Sequence, residues 1–240
     1  MNERRSPFGP WRQLLAACLT VAVVVGLAGT ASALAPMPVT SFTAPWQTFI
    51  NGNATVTPAG ATVAITALGG SSTEGFGKIG NDYAGLPIIG ATATVDTRDI
   101  GGDAHAGIRK VIGTVDSAMI QARIFVTSEA AGARKVVWKI RRLNPDSTSQ
   151  DLASGIFGTM AEDLVGQDIL LAFLQMGHEV WFIAMGHSAG NVPALVKYQP
   201  LLPSFVMTPG YYPVEIYGGA APGTGNHLDV LFKGVAVLRK

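Results

Sequence analysis

One cysteine occurs in 240 residues, at position 18. A lone thiol excludes an intrachain disulfide framework. Charge is scarce too: Asp, Glu, Lys and Arg make up 14%, with a formal net charge of +1. That balance leaves no electrostatic footprint for a nucleic-acid partner. The apolar run Leu14–Ala28 (LLAACLTVAVVVGLA) has 15 residues, short of the roughly 20 that a membrane-spanning helix needs. The 29 glycines follow no every-third-residue period, which excludes collagen. Apolar residues are plentiful, at 48%. That is too many for a disordered chain and enough, at this length, for one large core.

Arg4, Arg5 and Arg12 precede the apolar run, and Ala31-Ser32-Ala33 follows it. A basic start, an apolar stretch and a small-x-small site together read as a secretory signal peptide over residues 1–33. The mature chain is therefore expected to be secreted, periplasmic or on the cell surface. Leu15-Ala16-Ala17-Cys18 has the form of a lipoprotein box, but the apolar run continues past the cysteine that should close it. Loss of Arg4, Arg5, Arg12 and Glu3 takes the formal charge from +1 to −1. Cys18 leaves as well, so the mature domain has no thiolate nucleophile and no cysteine-ligated metal. The Pro-rich stretch 34–43 reads as an extended lead-in, and 44–240 as a single domain.

Within that domain short segments alternate with a period of two. In Ala61–Ala67, Val63 and Ile65 alternate with Thr62 and Thr66; Ala91–Thr97 behaves alike. Ile120, Ala122, Ile124 and Val126 share one face of Met119–Val126, with Gln121 and Arg123 opposite. Val136, Trp138 and Ile140 oppose Lys135, Lys139 and Arg141. Gly, Pro, Asn, Asp and Ser cluster between these runs. Many short strands punctuated this way predict an antiparallel β-sandwich. One stretch supports two readings. Thr159–Glu162 forms a capping box, with Ala161, Val165, Ile169 and Phe173 at helical spacing behind it. The same residues also read as a hairpin of Asp168–Met176 and Val180–Met185 around Gly177-His178-Glu179. The hairpin is preferred because the flanking chain reads as β and Gly166 is costly inside a helix.

Three stretches resemble the concanavalin A-like lectin/glucanase sandwich. These are IIGATATVDTRDIGGDAHAGI, ending at Ile108, then Leu170–Gly186, and Tyr211–Arg239. The resemblance implies a jelly-roll of two antiparallel sheets over most of residues 44–239. Glycosidases of that kind carry a Glu-x-Asp-x-x-Glu strand for retaining hydrolysis. That motif is absent here, so glycan or surface binding is implied without hydrolysis.

A second resemblance is local. Gly186-His187-Ser188-Ala189-Gly190 is similar to the nucleophile elbow of α/β-hydrolases. It implies Ser188 as nucleophile and His227 as base, at the end of an apolar strand, VWFIAM. The pattern departs from that family in two ways. Asp229 follows His227 instead of preceding it, and the chain behind Ser188 is short.

Other candidates come from residue type. Asp96, Asp99 and Asp103 offer hard oxygen ligands in what reads as one loop, suited to calcium; Asn144, Asp146 and Asp151 form a second such loop. Met176-Gly177-His178 and Met185-Gly186-His187 pair soft and imidazole ligands that suit copper. Their spacing on an extended strand separates them, so core methionines and loop histidines are the preferred account. Tyr211 and Tyr212 point to opposite faces of a strand, so one of them is the candidate sugar-stacking platform. Arg134, Lys135, Lys139, Arg141 and Arg142 form a basic strip, read as the solvated face of a strand, with contact to an anionic polymer as the other reading. The expectation is an exported, disulfide-free, all-β sandwich that binds a glycan or another cell-surface component without catalysis. It would have no nucleic-acid partner, no membrane span after signal removal, and calcium as the one structural ion considered. A serine hydrolase is the alternative.

Overall fold

The computed structural model describes residues 35–83, 86, 88–129, 134–157, 164–176, 179–186, 194–198 and 213–239. These form fifteen strands, numbered in chain order, with no helix among the described residues. One sheet runs β13 (Ala194–Tyr198), β12 (Glu179–Gly186), β11 (Asp168–Met176), β6 (Ile88–Gly101), β15 (His227–Arg239), β4 (Thr62–Leu68), β3 (Asn53–Ala59). The other runs β10 (Ser149–Ile156), β9 (Arg134–Leu143), β8 (Ala118–Ser128), β7 (Ala104–Val115), β14 (Val214–Ala220), β5 (Gly75–Asn81), β2 (Gln47–Asn51). Every strand pair is antiparallel. The lead-in is extended and joins the fold, since β1 (Ala35–Pro38) pairs with the end of β15. β15 reaches both β4 and β1 by shifting register between Lys233 and Ala236, where Gly234 takes a φ of +59°. A bulge with glycine in the left-handed region re-aims a strand at little steric cost.

The core is the space between the sheets. Alternation delivers it: Ile120, Ala122, Ile124 and Val126 of β8, and Val136, Trp138 and Ile140 of β9, face inward. They meet Ile169, Leu171 and Phe173 of β11 and Val180, Phe182 and Ala184 of β12. Trp138 stacks on Phe182 at 5.1 Å between ring centroids, joining the two sheets. Rings of this size supply most of the buried apolar area per residue.

The hairpin reading of Asp168–Met185 holds, as β11 and β12 pair directly. Among the described residues, 164–167 form a turn, with Gly166 at φ +73°. Its amide donates to the Thr97 carbonyl at 2.7 Å. A left-handed glycine starts β11 where the helical spacing placed mid-helix. The ambiguity arose because β11 and β12 are apolar on both faces. Their outward residues Ala172, Leu174 and Ile183 form a second cluster with Leu238, against which Trp181 and Met185 pack.

Candidate functional site

The outward face of the seven-stranded sheet is unlike that cluster. Strand register sets its side chains in three rows. Phe76, His105, Thr127 and Lys135 lie along the first. Phe49, Lys78, Tyr217, Gly107, Phe125 and Val137 lie along the second. Glu215, Arg109, Arg123 and Lys139 lie along the third. Gly107 leaves the centre of the middle row bare. A Cβ there would lie 2.5 Å from the Phe125 Cβ, so the Phe125 side chain covers the gap.

Tyr217 points away from the core yet is fully buried. Its ring carries the Arg109 and Arg123 guanidinium carbons at 4.7 and 5.0 Å from the centroid, with His105 at 5.6 Å. The negative ring face attracts both cations. Glu215 neutralises one side of this arrangement by accepting from Arg109 Nε at 2.5 Å and from Lys78 Nζ. Burial raises the Glu215 carboxyl, but the Arg109 and Lys78 charges outweigh it, and its pKa lies below the ordinary value. At the other edge Asp151 accepts from Lys139 Nζ at 2.7 Å and Arg141 Nε at 2.6 Å. Burial pushes Asp151 up; those bonds and charges hold it at about 2. Arg123 sits between the two carboxylates. It is 8% exposed, and its Nε has no hydrogen-bond partner; neither has the Tyr217 hydroxyl. His105 is lowered to about 3 by burial first, then by Arg123, Arg109, Arg141 and Lys139. It is a neutral imidazole at pH 7.

Two adjoining cavities open on this face. One of about 470 Å³ is bounded by Phe125, Lys135, Val137, Lys139 and Ile156, with the carboxylates Asp103 and Glu129 also in its lining. The other, of about 230 Å³, is bounded by His105, Arg123, Phe125, Thr127 and Lys139, with Arg141 and Asp103 at its sides. The larger lies within the size range of small-molecule sites. The outward positions of β7 and β8, the middle of the sheet, hold no carboxylate: they are His105, Gly107 and Arg109, and Gln121, Arg123, Phe125 and Thr127.

The residues singled out from sequence fall elsewhere. Ser188, Tyr211, Tyr212, His178 and His187 lie outside the described residues. The fold that an elbow at Ser188 requires, a parallel sheet flanked by helices, is not the fold of this chain. VWFIAM pairs antiparallel on both sides, and its apolar outward face packs in the second cluster. His227 Nδ1 bonds the Gly225 carbonyl at 2.8 Å and Nε2 bonds Asp99 at 3.1 Å. The Gly225 carbonyl, then Asp99, raise its pKa. Residues 96–101 are strand, not loop, because they pair with β15. Asp99 thus meets His227, and Asp96 meets Lys233 at 3.6 Å. Asp103 lies beyond the strand, its amide donating to Asn226 Oδ1. No group of three metal-ligating side chains forms among the described residues. In the second loop, Asp146 accepts from the Thr148 amide and hydroxyl. Trp138 is core, as expected. Of the basic strip, Lys135, Lys139 and Arg141 line the cavities. Sequence reasoning missed His105, Arg109 and Tyr217. The available signal was Arg123, on the outward face of a strand whose inner face is wholly apolar.

No family model matches the chain, and no curated protein matches it. Solved structures do. The GH16 protein of a Bacteroides ovatus mixed linkage glucan PUL, in complex with a G4G4G3G product, is 8% identical with a TM-score of 0.57, covering 85% of this chain and 99% of that one. The Bacillus licheniformis beta-glucanase is 10% identical at 0.52, covering 88% and 100%. A legume lectin-like domain from Entamoeba histolytica is 10% identical at 0.50, covering 81% and 89%. These likenesses show the fold, a concanavalin A-like β-sandwich. No helix long and apolar enough to cross a membrane is present among the described residues.

Proposed function

We propose that this chain is an exported, non-catalytic glycan-binding protein whose ligand lies on the outward face of the seven-stranded sheet. The observation that carries this reading is the cleft itself. Phe125, the Arg123 and Arg141 guanidinium groups and a neutral imidazole line it, while the outward positions of the middle strands hold no carboxylate for glycoside hydrolysis; Asp103 and Glu129 enter the lining from beyond the ends of β7 and β8. Phe125, whose ring borders both cavities, is the apolar wall against which a sugar face would lie. The fold supports the same reading, since its solved neighbours include lectin-like and glucanase proteins. The signal segment of residues 1–33 would deliver the protein to where such ligands occur.

The test is a glycan array followed by calorimetry on the secreted protein, whose N-terminus is read by sequencing. The expected results are a start at Leu34, at least one surface glycan bound with Kd of about 1 mM or tighter, and no release of reducing ends. Phe125→Ala should weaken binding. A protein that binds no glycan, or that cleaves what it binds, overturns the proposal.

A further inference from the structure

We infer that the smaller cavity, around Arg123, is an anion subsite that takes the carboxylate or sulfate ester of an acidic glycan. The inference rests on the glycan-binding reading and names the class of ligand. It begins from an imbalance. Arg109 and Arg123 face one another on directly paired positions of β7 and β8, over one tyrosine ring. Like charges so placed repel, and the protein supplies Arg109 with Glu215. Among the described residues no carboxylate pairs with Arg123, although Asp151 holds Lys139 and Arg141 beside it.

A nearly buried guanidinium whose Nε has no hydrogen-bond partner is costly unless a partner arrives. The cavity is where that partner can enter, because Arg123 lines it. A carboxylate or sulfate oxygen pair matches the planar fork of arginine, which makes Arg123 more specific than a lysine would be. Lys139 and Arg141 bound the same cavity and keep the field positive. His105, neutral there, adds hydrogen bonding without a further like charge. Asp103 is the one carboxylate in the lining, and it is exposed, where solvent screens it.

The mature protein is titrated calorimetrically with tetragalacturonate, its methyl ester, and a galactan tetrasaccharide with and without sulfate. The acid member of at least one pair should bind about tenfold tighter than its neutral partner, with affinity falling as salt rises. The pair that discriminates identifies the source of the anion. Arg123→Gln should erase the preference for the acid member. Lys139→Ala, at the rim, should reduce it in part, and it carries the test if Arg123→Gln lowers Tm too far to be read. Equal binding of acid and neutral members overturns the inference and leaves glycan binding standing. No binding of any of the four overturns the inference, and the glycan array then decides the reading on which it rests. Preferential retention of a DNA oligonucleotide overturns it in favour of a nucleic-acid phosphate.

Discussion

Glu215→Gln tests whether the outward face is held by its buried carboxylate. The substitution keeps shape and removes one charge from between Arg109 and Lys78. The Glu215 and Arg109 side chains are 10% and 15% exposed, so this pair is close to the buried limit, where breaking a pair costs about 3–5 kcal/mol. Lys78 is 29% exposed and recovers part of its hydration. A loss of about 3 kcal/mol is therefore expected, some of it repulsion between Arg109 and the unpaired Arg123 across Tyr217. For a chain of this size that lowers Tm by roughly 6–12 °C. The pH dependence has a definite sign. Burial alone raises the Glu215 carboxyl, but Arg109 and Lys78 bring it below its ordinary value. Its stabilisation is thus full above about pH 4.5 and is lost as pH falls through the lower folded value. Melting curves of the wild type and the variant should stand apart at pH 7 and converge on acidification. A variant that melts within 1 °C of wild type at pH 7, or a gap that persists in acid, would refute the reasoning.

Tyr217→Phe should leave stability unchanged or raise it by up to about 1 kcal/mol, because it removes a buried hydroxyl with no partner and keeps both cation–ring contacts; chemical denaturation measures this, and a loss above 1 kcal/mol would show that the hydroxyl is bonded. Lys110 lies 4% exposed on the inner side of β7, and burial lowers it to about 8. Its unfolded form holds the proton more tightly, so the folded state gains stability as pH rises from about 8 to 10.5, by roughly 3 kcal/mol at most. Lys110→Met, which also removes the Nζ donation to the Val111 carbonyl, should abolish that rise in stability between pH 7 and 9.5; urea curves in which wild type and variant keep a constant separation across the range would contradict this.

What the sequence determined by itself was the set of strands and their inner faces. Alternation is a local property: Val136, Trp138 and Ile140 must share a side of any extended chain, whatever packs on them. The all-β class and the hairpin at β11–β12 followed from the same logic. The tertiary structure decided which outward faces meet. Arg109 and Glu215 are 106 positions apart, and Asp99 and His227 are 128 apart. Their meeting depends on the order of strands in each sheet and on register, which a one-residue slip would reverse. Asp96 and Asp99 read as a loop because polar residues and glycine surround them, and the long partner β15 drew them into a strand. Tyr217 read as an ordinary strand aromatic. Only the pairing of β14 with β7, opposite the bare Gly107, puts two guanidinium groups on its ring.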